Sequence, residues 1–191
     1  MNLKRVNTVH LLGNGPSVSH FTPDESGICV TCNLGHLHIN PAWTLINVGN
    51  LGHICETQRT FETPIVVESH YLQRVRLGTL HPQHLKTLNF FAIIKPFKQI
   101  PAPSTGHKAT WYALKLYKPV VLHLWGLDSL WTDDNQSLQD EIFGLVKDDT
   151  FQTTWRPAWE TIWSTNSKTQ FVIHTPTPIE NLPKNVATER V

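Results

Sequence analysis

A loop rich in glycine and asparagine follows the first apolar segment of the sequence. Gly13, Asn14, Gly15 and Ser17 belong to the stretch GNGPS, directly after the apolar residues 5–12. In an open α/β sheet, ligands bind beyond the carboxyl ends of the strands. Glycines there let backbone N–H groups approach a phosphate or a sugar, and a side-chain amide can both donate to and accept from hydroxyl groups. The spacing is not GxGxxG, so the loop indicates either a ligand-binding turn or an ordinary tight turn.

Two further asparagines occupy similar places. Asn33 follows the apolar residues 28–32, and Asn47 lies near the end of the apolar residues 43–48. Each asparagine alone is typical of a turn that ends a strand. Because parallel strands end at one edge of a sheet, Asn14, Asn33 and Asn47 together predict a polar, uncharged ligand site at that edge.

The stretch Ser104-Thr105-Gly106-His107 opens a predicted helix over residues 105–117. Ser104 or Thr105 suits the N-cap position. Hydroxyls and N–H groups at a helix start can also hold a phosphate or a carboxylate, and His107 in the first turn faces the same region.

Asp128 follows the predicted strand of residues 120–124, in the stretch Gly126-Leu127-Asp128. A carboxylate at this place can bind a substrate hydroxyl, orient a loop or cap the next segment. The position of Asp128 in the sequence does not distinguish between these three roles.

The positioning elements follow from short apolar runs that alternate with amphipathic ones. We predict strands over residues 5–12, 28–32, 43–48, 65–68, 90–94, 120–124 and 171–174, and helices over 105–117 and 155–163. This alternation predicts an α/β sandwich with a mostly parallel central sheet. Pro157 is expected in the first turn of the second helix, and the tail after Pro176 is expected to wrap the surface or fray.

The composition narrows the function classes. The length of 191 residues argues for one domain. The chain carries 16 Lys and Arg against 15 Asp and Glu, and this formal net charge of +1 argues against a nucleic-acid binder. No apolar run reaches the roughly 20 residues of a membrane-spanning helix. The three cysteines imply no disulfide framework, so we expect a cytoplasmic protein.

The 11 histidines and seven tryptophans invite metal-binding and stacking hypotheses. His36 and His38 lie two positions apart near Cys32, but no fourth zinc ligand has suitable spacing, so we predict no metal site. Trp155, Trp159 and Trp163 recur every four residues, which favours a buried helical stripe over a surface that stacks a sugar or a base.

In this order, the stretches GNGPS, CN (residues 32–33), STG and GLD, with the closing FVIHTPTP (residues 171–178), resemble the family 42 bacterial sialyltransferases and related glycosyltransferase-like proteins. The resemblance implies a Rossmann-like three-layer sandwich forming one domain over residues 1–191. It implies a CMP-sialic acid type of donor, an unknown acceptor hydroxyl, inversion at the anomeric centre, and neither a metal nor a separate cofactor. It also implies that Asn14 and Asn33 contact the donor nucleotide or its phosphate and that Asn47 matches the family's third-strand asparagine. The family's contacts near the sugar carboxylate or the cytidine fall on Ser104, Thr105 and Gly106.

The sequence departs from that family at two places. The family's phosphate-holding tyrosines have no match in Ser129-Leu130-Trp131, and its histidine before the last helix has none in residues 148–155. Transfer to a hydroxyl needs a group that accepts a proton near neutral pH. We take His107, His174 and Asp128 as the candidate bases, with the pair Asp148-Asp149 as a further alternative.

Two other functions compete with the transferase. A pterin diphosphokinase-like enzyme would share the glycine-rich opening, but it would need a carboxylate cluster for magnesium that the sequence lacks. A non-catalytic protein that binds a nucleotide or a sugar on the same fold would explain the missing tyrosine and histidine. The sequence gives no indication of the oligomeric state.

Overall fold

The computed structural model describes residues 6–23, 26–37, 39–47, 51, 61–69, 88–94, 100, 103–128 and 150–191. Its strands are β1 (Thr8–Leu12), β2 (Ile28–Cys32), β3 (Thr44–Leu45), β4 (Phe61–Glu68), β5 (Leu88–Ile94), β6 (Val121–Trp125), β7 (Gln170–Thr175) and β8 (Val186–Arg190). The described α-helices are α1 (Thr105–Tyr117) and α2 (Thr150–Thr165), and 3-10 turns cover Pro16–His20 and Asn33–Leu37. Neither α1 nor α2 combines the length and apolar character that a membrane-spanning helix requires.

The strands form one eight-stranded sheet in the order β5-β4-β3-β2-β1-β6-β7-β8. All seven neighbouring pairs are parallel, which confirms the predicted α/β class with a parallel, Rossmann-like sheet. The strand order runs outward from β1 in both directions, so the topological switch point lies between β1 and β6. In sheets of this kind ligands bind outside the carboxyl ends of the strands at that point.

Both described helices pack on the same face of the sheet. Alternate residues of the central strands, including Val9, Leu11, Leu122 and Leu124, form one buried cluster with side chains of α1 and α2. Trp159 and Trp163 are fully buried in that cluster, which confirms the predicted helical stripe as core. Burial of each such large apolar side chain contributes about 2–3 kcal/mol to folding.

Two expectations about the C-terminal part were wrong. Helix α2 begins at Thr150, so Pro157 lies inside the helix and not in its first turn. The turn before the proline is held by tertiary contacts, since Trp155 packs against the core and the Arg156 guanidinium donates to the carbonyl of Glu180 at 2.8 Å. The tail does not fray: β8 pairs in parallel with β7. Its burial is confined to Val186, so no apolar alternation marked it as a strand.

Candidate functional site

The loops after β1 and β6 are bound to each other at the switch point. The backbone N–H of Ser17 donates to Oδ2 of Asp128 at 2.9 Å, and the N–H of Gly126 donates to Oγ of Ser17 at 2.8 Å. The N–H groups of Gly13 and Gly15 donate to the carbonyls of Trp125 and Gly126, both at 2.7 Å. We name residues 13–17 with residues 126–128 the switch-point clamp.

The glycines of this clamp are required by packing. A Cβ added to Gly13 would overlap the carbonyl oxygen of Gly126, and one added to Gly15 would lie 2.5 Å from Oδ2 of Asp128. Gly126 itself has φ +63°, in the left-handed region that glycine adopts at little cost. Of the two interpretations of the GNGPS loop, the tight turn is observed, and its role in binding a donor stays a prediction.

The second and third asparagines meet at the carboxyl ends of β2 and β3. The backbone N–H of Asn47 donates to Oδ1 of Asn33 at 3.4 Å. Asn33 is buried and has φ 49°, a left-handed conformation that asparagine tolerates better than most residues. Gly35, in the 3-10 turn that follows, packs so closely against β1 that an added Cβ would lie 2.5 Å from the Leu12 carbonyl oxygen. The turn after β2 therefore adjoins the loop after β1.

Asn14 lies in the clamp, and its side chain ends in a buried donor. The Nδ2 atom of Asn14 is inaccessible to solvent and has no hydrogen-bond partner among the described residues. A buried donor without a partner costs about 1–3 kcal/mol of folding free energy, so native proteins rarely keep one without a use for it. The described contacts join Asn33 to Asn47, and none of them joins Asn14 to that pair.

Ser104 is the N-cap of α1, as its position predicted. Its Oγ accepts from the N–H of His107, and its own N–H donates to Nδ1 of His107 at 3.1 Å. This is a capping box in which histidine replaces the usual glutamate or glutamine at the third helical position. Thr105 and Gly106 occupy the two positions between them, where helix N–H groups have no intrahelical partner.

His107 is fully buried and both of its ring nitrogens have partners. Since Nδ1 accepts from Ser104, Nε2 carries the proton and donates to the carbonyl oxygen of Trp155 at 3.1 Å. Burial lowers the pKa of His107 to about 3, against a smaller raising effect of the Trp155 carbonyl and with a further lowering by Lys108. An imidazole of such low basicity has little tendency to take a proton at neutral pH. The geometry therefore favours a structural role, and the role of His107 as base stays a prediction.

His174 lies in a row of imidazoles that crosses β1, β6 and β7. Its Nε2 is 2.9 Å from Nδ1 of His123, whose ring in turn stacks on His10 with centroids 4.7 Å apart. The Trp125 ring stacks flat on the His174 ring, with ring centroids 3.3 Å apart and planes inclined by 5°. Oε2 of Glu189 lies 3.4 Å from Nδ1 of His174.

The surroundings of His174 also reduce its basicity. Burial, with smaller contributions in the same direction from the neighbouring His123 and His10, lowers its pKa to about 3. The side chain is 4% exposed, so a substrate hydroxyl has little access to it. Its role as the catalytic base stays a prediction that these surroundings do not favour.

The third candidate base, Asp128, is fully buried in the switch-point clamp. Its contact with the Ser17 N–H suits the loop-orienting interpretation of its position. The alternatives Asp148 and Asp149 lie outside the described residues, as do Ser129, Leu130 and Trp131 where the family's tyrosines were sought.

The sequence interpretation missed an ion pair at this edge. Glu68 is the last residue of β4 and is 1% exposed, and its Oε2 accepts from Nζ of Lys108 in α1 at 2.7 Å. The N–H of Ile46 donates to the carbonyl of Val66 at 3.1 Å, which continues the pairing of β3 with β4 beyond Leu45 and brings Asn47 to the same edge of the sheet as Glu68. The asparagines were predicted site residues because each lies at the end of a predicted strand. The same criterion also fits Glu68. Lys108 carried no comparable signal, because its partner is 40 residues away.

No group of three or more histidine, cysteine or acidic side chains among the described residues is arranged to hold a metal ion. Burial raises the pKa of Cys32 to about 12, so that thiol stays protonated.

The described carboxyl edge thus offers amide, carboxylate and ammonium groups to a ligand. We name its charged and amide side chains, Asn33, Asn47, Glu68 and Lys108, the polar row. From β1 to β4 this edge spans about 14 Å at the usual strand spacing, enough for an extended ligand. A comparison of the chain with protein-family models, curated proteins and solved structures found no match.

Proposed function

We propose that the protein is a glycosyltransferase that binds a nucleotide-activated sugar at the carboxyl edge of its sheet. The observation that carries the proposal is the buried, unpartnered Nδ2 of Asn14 at the β1–β6 switch point. A carbonyl, hydroxyl or phosphate oxygen of a ligand would supply the acceptor that this donor lacks. The polar row at the same edge of the sheet carries amide and ammonium groups that suit an elongated, hydroxyl-rich and anionic molecule.

The resemblance of the sequence to family 42 sialyltransferases gives the donor class. It suggests a donor of the CMP-sialic acid type and transfer to an acceptor hydroxyl with inversion. Ser104 is committed to the helix cap in the free protein. The N–H groups of the first turn, at Thr105 and Gly106, are therefore better placed than its hydroxyl to contact an anionic part of the donor.

Isothermal titration calorimetry with CMP, UMP and GMP tests the binding step. We expect CMP to bind with measurable affinity and the two other nucleotides to bind more weakly. Circular dichroism of the same sample shows that the protein is folded. If a folded sample binds none of the three nucleotides, the proposal fails.

One observation favours a second candidate, a non-catalytic nucleotide or sugar-binding protein. His107, His174 and Asp128 are all buried, and each is engaged in contacts within the protein. Incubation with CMP-sialic acid, followed by mass spectrometry of the donor, distinguishes the two functions. Release of CMP together with free sialic acid, faster than in a sample without protein, shows hydrolysis with water as the acceptor and supports the transferase. Tight binding without turnover supports the non-catalytic protein.

A further inference from the structure

The ion pair between Glu68 and Lys108 joins two elements at the carboxyl edge. Glu68 ends β4, and Lys108 lies in the first turn and a half of α1. The carboxylate is 1% exposed and the lysine side chain 15% exposed. The lysine side chain is therefore mostly buried but keeps some contact with solvent.

A contribution to stability does not by itself explain why the protein keeps a largely buried ion pair. Removing two charges from water costs free energy that their attraction barely repays, and apolar residues of similar volume often stabilise a protein as well or better. A lysine near a helix N-terminus also lies at the positive end of the helix dipole, where an anion is favoured and a cation is not. Both considerations point to a role for the charge besides folding.

The neighbours of Lys108 define what that role could be. Asn47 follows β3 at the same edge at which Glu68 ends β4, and the backbone N–H of Asn47 donates to Oδ1 of Asn33. The side chains of these two asparagines are uncharged, and Asp128 in the switch-point clamp carries a carboxyl group. None of the three supplies a positive charge. Lys108 is a cationic side chain whose described contact, with Glu68, places it at the edge of the sheet where the asparagines lie.

We infer that Lys108 binds the phosphate group of the nucleotide, with Glu68 as the residue that positions its ammonium group. The inference rests on the proposed function, which requires an anionic phosphate at this edge. In the free protein Glu68 holds the ammonium at the sheet edge. When the nucleotide binds, a phosphate oxygen accepts a hydrogen bond from the same Nζ, whose three N–H donors allow contacts in addition to the one with Glu68.

The experiment compares the affinities of CMP and cytidine by calorimetry, since the two ligands differ only in the phosphate. Lys108→Met alone would leave Glu68 buried without its partner and could unfold the protein. The main variant is therefore the double substitution Glu68→Gln with Lys108→Met, which removes both charges. Lys115→Met, an exposed lysine in the last turn of the same helix, is the matched control.

In the wild type and in the Lys115 variant we expect CMP to bind more tightly than cytidine. In the double variant we expect cytidine affinity to stay within about twofold and CMP affinity to fall about 10- to 100-fold, as for the loss of a charge-assisted hydrogen bond. An unchanged ratio of CMP to cytidine affinity in a folded double variant overturns the role of Lys108 and leaves the proposed function standing. A folded wild type that binds neither ligand overturns the proposed function as well.

Discussion

At the scale of single residues, amides at the carboxyl edge have different tasks. Asn33 adopts a left-handed backbone and fixes Asn47, so it helps to build the edge. Asn14 carries a buried donor that the fold does not use. A ligand site needs residues that build the edge, such as Asn33, and residues that contact the ligand, such as Asn14. Only the residues that contact the ligand should be dispensable for folding.

Asn14→Ala tests this division. We expect the free energy of unfolding to stay unchanged or to rise by up to about 1–3 kcal/mol, because the substitution removes a buried donor that has no partner among the described residues. Nucleotide affinity should fall. Asn185→Ala is the matched control, since its Nδ2 donates to the carbonyls of Trp163 at 3.2 Å and Thr169 at 3.3 Å. It should lose about 1–2 kcal/mol of stability in urea denaturation. Equal destabilisation by the two substitutions would contradict the assignment of Asn14.

Asn33 allows a complementary pair of substitutions. At φ 49° an alanine suffers a steric penalty of about 1–2 kcal/mol that glycine avoids. Thermal denaturation should therefore show a higher melting temperature for Asn33→Gly than for Asn33→Ala, although both lack the amide. Identical melting temperatures would mean that the amide, and not the backbone conformation, is what the position requires.

At the scale of elements, the loops after β1 and β6 form a rigid unit through the switch-point clamp. Ser17 is central to it, because its Oγ accepts from Gly126 while its N–H donates to Asp128. The neighbouring Ser19 donates only to the carbonyl of Pro16, within the same turn. The two serines therefore make a matched pair.

We expect Ser17→Ala to cost about 1–2 kcal/mol of unfolding free energy, since it leaves a buried N–H without its acceptor. Ser19→Ala should stay within about 0.5 kcal/mol of the wild type, as for other surface substitutions. Chemical denaturation of both variants measures the difference. A Ser19 variant as unstable as the Ser17 variant would show that the contact between the loops is not the source of the effect.

The elements also show what the sequence could predict. β2 and α1 begin and end where the sequence predicts, because apolar periodicity and the Ser104 cap define their ends locally. The contacts of the site were not predictable in the same way. The pairing of Glu68 with Lys108 and of Ser17 with Asp128 depends on segments that meet only after folding. The engagement of His107 by Trp155 likewise depends on where α2 packs.

At the scale of the whole molecule, two buried histidines make stability depend on pH. The pKa values of His107 and His174 are lowered to about 3, whereas an unfolded histidine titrates near 6.5. Between these values the unfolded chain binds more protons, so stability rises with pH. It is therefore lost progressively as the pH falls from about 6.5 toward 3.

His107→Gln isolates one of these contributions. Glutamine at the third helical position can still bond to the N–H of Ser104, so it keeps the capping box and removes the titrating group. Urea midpoints at pH 7, 6, 5 and 4 should fall less steeply in this variant. The difference should be up to about 1.4 kcal/mol per pH unit. An unchanged slope in a variant that is folded at pH 7 would contradict the assigned pKa.

The order of the strands has a consequence for how the chain is synthesised. β1 is central in the sheet, yet its partner β6 is made more than a hundred residues later. A nascent chain can pair β1 with β2 early, but the other side of β1 keeps a row of open backbone donors and acceptors until β6 leaves the ribosome. Open strand edges recruit other chains. A ribosome that stalls before Val121 would therefore hold an aggregation-prone intermediate. The open edge of β1 is covered, and no longer available to strands of other chains, only after β6 has been synthesised.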